Sequence, residues 1–393
     1  MAIETTAAPG IPVLRWSSRA RTIPDIEAEL GRIWSSTNLT VPGPEGEERH
    51  VAARTSVLNL VVVATRPEIG EHAAAIVSQL AGRHPSRTLI VSSADPDGPS
   101  WLDARIQAHC MLPRADAAET CAELIYLAAG GESGRHLQAI VAPLLVHDLP
   151  VTLWWPGDPP LGGRAMRELA ALADVLIVDG SSWSGDGLDR LARLADLVDD
   201  PRLEIVDFGL LRQSRWREAI ASAFDLPELQ PFVRSIRSMS VTYGSHAGGT
   251  ANVVKPVYHV SWLASRLGLT VREPLVPESG GGYRATLRSG TRVVPAALRP
   301  VESTLPAGTT LAVELVAERR GGGLRVEVTA DGEAVVVRAT PDGERPIERR
   351  FAAARRTEVE LLAEAIETVG SDRVARGALR AAAELAGAGS AVG

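Results

Sequence analysis

Few stretches of this 393-residue chain set out residue types and spacings suited to chemistry. "GRHPSR" (82–87) places His84, Ser86 and Arg87 around a turn, where Gly82 ends a helix and Pro85 prevents its continuation. Such a turn suits an anion, because a guanidinium binds carboxylate or phosphate through two parallel hydrogen bonds. The same residues also read as a helix stop with a surface ion pair. His246 in "YGSHAGGT" (243–250) allows the same two readings. Cys110 and Cys121 are the only cysteines, and their spacing is not that of a metal site. Two readings stay open for them: small buried apolar residues, or a redox pair. Asp148, Asp158, Asp179 and Asp207 stand near strand ends, where α/β proteins place working groups and also helix caps. Lys255 is the only lysine, so any amine nucleophile or phosphate-gripping lysine has this one candidate.

The elements that must position these residues alternate between about 54 and 225. Strand-like runs occur at 56–65, 86–93, 104–112, 150–155, 173–180 and 202–209, with helical spacing at 67–82, 116–129, 135–148 and 187–200. Val, Ile and Leu fill the strands, as in a parallel sheet covered on both faces. The expected fold class is therefore α/β: a largely parallel, doubly wound sheet domain over 51–228. A smaller α+β domain over 229–386 follows it, with a strand at 232–244, a helix at 251–269 interrupted near Pro256, a hairpin at 324–340 turning at Asp331-Gly332, and a helix at 355–370. Residues 1–50 read as an N-terminal arm with a short helix at 24–36 and a polar loop, "VPGPEGEERH". Residues 387–393 read as a disordered tail.

The doubly wound pattern invites a nucleotide, but its signatures are missing. "VVVATRPEIGEH" carries Pro67 and a single Gly70 where G-x-G-x-x-G belongs, and no phosphate-binding G-x-x-x-x-G-K-[ST] occurs. "GGESGR" (130–135) is not a nucleophile elbow and reads as a glycine-rich hinge between helices or a contact loop. No cofactor or metal is expected. The net charge of −7 argues against nucleic acid as a partner. The apolar runs fall short of the ~20 residues that span a bilayer, and no convincing signal peptide is present, so a cytoplasmic protein is expected.

"PVTLWWPGDPP" (150–160) sets Trp154 beside Trp155 in a chain with only 4% aromatic residues. Neighbouring strand residues face opposite ways. One ring is therefore expected beneath the sheet, and two readings stay open for the other: a surface anchor for a partner, held up by the rigid turn with Asp158, or the second member of a purely structural pair. Together with "RHPSRTLIV" (83–91), "CAELIYLAAGG" (121–131), "DFGLLRQSRWREAIASAFD" (207–225) and "WLASRLGL" (262–269), this stretch resembles the OpcA-type glucose-6-phosphate dehydrogenase assembly proteins. The resemblance implies a non-catalytic assembly factor and activator that binds oligomeric glucose-6-phosphate dehydrogenase in the oxidative pentose phosphate pathway. It adds Trp216 and Arg217 of "QSRWRE" to the candidate interface. Family members are also linked to redox control through cysteines. The alternative is a sugar-phosphate-binding enzyme or sensor using the α/β domain.

Overall fold

The computed structural model describes residues 13–35, 40–42, 48–50, 56–95, 97–111, 120–246, 249–368 and 373–388. The centre of the expected polar loop (43–47) and the end of the expected tail (389–393) lie outside the described residues. The chain divides into two compact units, Met1–Val178 with Glu358–Glu367 and Asp179–Thr357 with Thr368–Gly393.

The first unit contains strands β1 (Val13–Ala20), β2 (Thr40–Pro42), β3 (Glu48–His50), β4 (Leu58–Val63), β5 (Ser86–Ala94), β6 (Trp101–Met111), β7 (Thr120–Gly130), β8 (Val151–Trp155) and β9 (Val175–Val178). Its helices are α1 (Ile23–Ser35), α2 (Pro67–Leu80), α3 (Gly131–Arg135), α4 (Leu137–Val141), α5 (Arg164–Ala170) and α11 (Glu358–Glu367). The main sheet runs β1-β6-β7-β5-β4-β8-β9. Strands β7, β5, β4, β8 and β9 are parallel neighbours, while β6 and β1 add an antiparallel edge. In order of appearance the parallel strands lie 3-2-1-4-5, the arrangement of a dinucleotide-binding sheet. Every residue of β4, β8 and β9 is buried, as expected of central strands covered on both faces. Asn59, the single polar residue of β4, donates to the Val146 and Leu149 carbonyls at 3.0 and 3.3 Å and accepts from the Val146 N–H at 2.8 Å. It thereby fixes the chain entering β8.

The helix expected over 116–129 is corrected by the structure. The Ala, Glu and Leu of "TCAELIYLAA" favour a helix, yet Thr120–Gly130 is strand β7, bonded to β5 on one side and β6 on the other. Two complete ladders outweigh a propensity difference of a few tenths of a kcal/mol per residue. The "GGESGR" loop is correspondingly no hinge between helices: α3 follows directly from a strand.

The second unit contains β10 (Glu204–Asp207), β11 (Ile236–Ser245), β12 (Thr270–Pro277), β13 (Tyr283–Ser289), β14 (Arg292–Glu302), β15 (Thr310–Arg319), β16 (Gly322–Asp331), β17 (Ala334–Pro341) and β18 (Ile347–Ala352). Its helices are α6 (Leu188–Arg193), α7 (Ala195–Val198), α8 (Phe208–Leu211), α9 (Ser214–Ser222), α10 (Val254–Leu267) and α12 (Arg373–Leu385). Eight strands form one sheet, β12-β13-β14-β11-β15-β16-β17-β18, antiparallel among the registered pairs except where β11 meets β14. The expected hairpin is β16–β17, and Gly332 supplies the positive φ of its turn. Helix α10 is not interrupted by Pro256. That residue lies in its first turn, where a missing N–H costs nothing.

Candidate functional site

In a sheet of this order ligands bind beyond the carboxyl ends of the strands, where β4 and β8 diverge to opposite sides. The turn from β4 to α2 is Thr65-Arg66-Pro67-Glu68-Ile69-Gly70, with Pro67 opening the helix. Set against G-x-G-x-x-G, only the third glycine remains. A Cβ on Gly70 would lie 3.2 Å from Ile90 Cγ2 and 3.4 Å from the Ala64 Cβ, so Gly70 preserves close helix–sheet packing. Thr65 and Pro67 replace the two glycines that let a backbone approach a diphosphate. Pro67 offers no N–H, and Glu68 adds a negative charge in the first turn. The dinucleotide that this fold implies does not fit the turn.

On the other side of the same crevice, β8 runs into the Pro156–Pro160 turn. Trp154 and Trp155 are only 1% and 3% exposed. The surface-anchor reading is therefore corrected, and the structural pair is the reading that matches the burial. β8 is interior, with β4 pairing at Trp154 and β9 at both residues, and each face is covered. The two rings enter opposite layers, and neither is presented. Asp158 is exposed. Trp216, on α9, is half-buried with its ring 5.3 Å from that of His259, and Arg217 donates to the Leu210 carbonyl at 2.6 Å.

The anion turn at 82–87 is also overturned. Arg87 is buried, donating to Glu123 on β7 at 2.5 Å and to the Leu144 carbonyl at 2.8 Å. Glu123 also accepts from the Trp34 indole of α1. Ser86 is buried and bonded to Thr88 at 2.9 Å, while the His84 ring lies 2.9 Å from Glu367 of α11. A buried guanidinium needs a fixed partner and acceptors, so Arg87 serves the sheet rather than a ligand. Cys110 and Cys121 face each other across β6 and β7 with Cα atoms 4.0 Å apart and form a disulfide. The reading of free apolar residues, and the placement of Cys121 on a helix, are both corrected. Among the described residues no cluster of His, Cys, Asp and Glu suits a metal.

A buried polar cluster also lies in the second unit. Asp179 heads the 3-10 turn Gly180–Ser182, and Asp207 ends β10. Asp207 is buried; it accepts from the N–H groups of Gly180 (3.1 Å) and Gly209 (2.6 Å) and from the Tyr258 hydroxyl (2.6 Å). A side chain at Gly180 would come within 2.7 Å of Asp207 and Val254. Burial, then the neighbouring Asp179, push the Asp207 carboxyl up to about 7. The Tyr258 phenol is pushed well up, first by burial and then by Asp207. Asp179 itself accepts from Arg212 through both oxygens at 2.8 Å, and Arg212 also reaches the Ser181 hydroxyl at 3.0 Å. Asn252 donates to the carbonyls of Gly180 and Trp183 at 2.9 Å, tying the turn to the start of α10. One turn further along α10, His259 is fully buried, and neither ring nitrogen has a partner among the described residues. Burial, with Arg217 and Lys255, pushes it down to about 3, so the ring is neutral. Strand-end position marked Asp179 and Asp207 in the sequence; nothing there pointed to Tyr258 or His259.

A doubly wound, largely parallel sheet whose β4–α2 turn lacks the dinucleotide glycines, and a second unit built on a broad, mostly antiparallel sheet, define a mixed α/β protein with a Rossmann-like sheet and no dinucleotide fingerprint. Residues 77–196 match the family described as the glucose-6-phosphate dehydrogenase subunit N-terminal domain, and residues 203–379 match its C-terminal domain. The chain belongs to the OpcA-type glucose-6-phosphate dehydrogenase assembly family. Curated relatives include the OxPP cycle proteins OpcA of a Synechocystis strain and of Nostoc punctiforme. The first is 30% identical over 200 residues, covering 50% of this chain and 40% of the relative. The second is 27% identical over 209 residues, covering 50% and 43%. The chain thus spans less than half the length of these relatives. Among solved structures, an oxidoreductase from Sinorhizobium meliloti aligns over 84% of this chain and 96% of its own at 15% identity, with a TM-score of 0.48. Levoglucosan dehydrogenase with NADH and levoglucosan aligns over 84% and 97% at 12% identity, with a TM-score of 0.42. Both likenesses are too loose to bear on chemistry.

Proposed function

We propose that the chain is a non-catalytic assembly factor and activator of glucose-6-phosphate dehydrogenase, acting in the cytoplasm by protein–protein binding. The observation that carries this reading is the pairing of family membership with a β4–α2 turn unfit for a diphosphate. The scaffold keeps the glycine its packing needs and lacks those a cofactor diphosphate needs. An activator of this kind must bind the active form of its partner more tightly than the inactive form, because only differential affinity shifts an equilibrium. The exposed Asp158 turn and the half-buried Trp216 with Arg217 are the candidate contact points. Trp154 and Trp155 anchor the strand that leads into the Asp158 turn. The Cys110–Cys121 bond is the candidate point of redox control. No helix among the described residues is long and apolar enough to cross a membrane.

The test is the rate of NADP reduction by the same organism's glucose-6-phosphate dehydrogenase at sub-saturating glucose 6-phosphate, with and without this protein, under oxidising and reducing conditions. A saturable rise, with no turnover by this protein alone, is expected. A flat response in both conditions refutes the proposal.

A further inference from the structure

We propose that the bare face of the second unit's eight-stranded sheet is the surface on which two copies of this chain pair. Helices α9 and α10 pack on this sheet. Burial alternates along β13 and β14: Ala285, Leu287, Ala296 and Leu298 are buried, while Arg284, Arg288, Val293 and Arg299 are exposed. Successive strand residues face opposite ways, so one face is covered and the other bare. Six large apolar side chains are exposed among the described residues. Three of them, Val276, Val293 and Val301, stand on the bare face and are 44–47% exposed. Exposed apolar groups gathered on one face mark an interaction surface.

The face has the size a stable dimer needs. Its eight strands, ~4.8 Å apart, span ~38 Å, and about seven residues at ~3.3 Å each give ~23 Å along them, a face of ~900 Å². A standard interface takes ~800 Å² from each partner. The middle can be approached closely, because β11 and β15 present Ser240, Thr242 and Ala312 there. The charges are complementary between the two halves. On β13 and β14, Arg288 and Arg299 make no ion pair among the described residues. On β15 and β16, Glu314 stands directly opposite Glu327, an unfavourable arrangement for like charges. Arg325 answers the first at 2.6 Å and Arg338 the second only at 3.8 Å. A two-fold axis along the strands at the middle of the sheet lays β12–β14 of one copy over β15–β18 of the other. The unpaired arginines then meet the crowded carboxylates twice. A patch that pairs with its own copy must complement itself in this way.

The test is made on the full chain without the dehydrogenase. Sedimentation equilibrium should return twice the 41.6 kDa of one chain. Val293→Ser, at an exposed position, should weaken association about tenfold, since each dimer buries the site twice. Ala312→Arg sets a bulky cation beside the axis, where it meets its own copy, and should sediment as a monomer. Ala312→Cys adds the only free thiol, because Cys110 and Cys121 are bonded to each other. Mild oxidation should then join two chains into a disulfide dimer on a non-reducing gel. A native chain that stays monomeric at every soluble concentration overturns the proposal, as does a dimer of unchanged affinity in Ala312→Arg. A monomer that binds glucose-6-phosphate dehydrogenase through this face, with the complex lost in Ala312→Arg, overturns it in favour of a mixed pairing. Should Ala312→Arg fail to fold, Ala312→Cys decides, and the lack of a cross-linked dimer overturns the proposal.

Discussion

Asp207 and His259 should impose opposite pH dependences on the stability of the second unit, and replacing either should expose the other. The Asp207 carboxyl is raised to about 7 in the fold, against about 4 in an unfolded chain. Its contribution is full below pH ~4 and is lost as pH rises towards 7, at ~1.4 kcal/mol per pH unit and ~4 kcal/mol in all. His259 is lowered to about 3, against about 6.5 unfolded. Its contribution is full above pH ~6.5 and is lost as pH falls towards 3, at the same slope and to a total of ~5 kcal/mol. Between pH ~4 and ~6.5 the two slopes cancel. The assay is urea unfolding at half-unit pH steps on the native chain, Asp207→Asn and His259→Leu. Asparagine keeps acceptors for Gly180 and Gly209 without a charge, and leucine removes two unpartnered ring nitrogens. The difference between the native chain and Asp207→Asn should fall steadily from pH 4 to 7 in favour of the variant. That between the native chain and His259→Leu should grow in favour of the variant on acidification. Carboxylates elsewhere cancel in both differences. A difference that stays flat to within ~0.5 kcal/mol for Asp207→Asn across this range would falsify the buried, proton-holding environment.

Three further outcomes are expected. Trp155→Ala should cost ~3–5 kcal/mol in chemical denaturation, because it empties a site that is 3% exposed on an interior strand; a cost below ~1 kcal/mol would return that ring to the surface. Glu123→Gln should cost ~3–5 kcal/mol by stranding the Arg87 charge, and adding Arg87→Met should recover a large part of it; no recovery would mean that the two residues do not act as a pair. Reducing the Cys110–Cys121 bond, which closes a sequence separation of 11, should lower stability by ~3 kcal/mol, read as the shift in urea midpoint with and without a thiol reductant.

The strands were legible because hydrophobic runs bounded by glycine and proline mark interior parallel strands. "VLNLVVVA", "VTLWW" and "ADVLIV" became β4, β8 and β9 to within two residues. Strand β7 was not legible, since its Ala, Glu and Leu favour a helix and only pairing with β5 and β6 overrides them. The site residues failed for a related reason. Arg87, Ser86 and His84 have the types of an anion turn, but Glu123 and Glu367, which engage two of them, are 36 and 283 residues away in sequence. Strand alternation does send the two tryptophans opposite ways. What the sequence could not supply was the second covered face. Asp207 and Tyr258, 51 positions apart, show the same limit: a carboxyl at a strand end is visible, while the phenol that meets it is not.

Gly70 separates two demands that a glycine fingerprint usually fuses. One is the scaffold's demand for a helix lying close on the sheet, which Gly70 still meets against Ile90 and Ala64. The other is the ligand's demand for bare backbone at a phosphate, which Thr65 and Pro67 do not meet. A helix can therefore lie as close on its sheet as a dinucleotide fold requires while the turn that joins them is unfit for a diphosphate. Packing glycine and phosphate glycines are separable requirements, and this chain holds only the first.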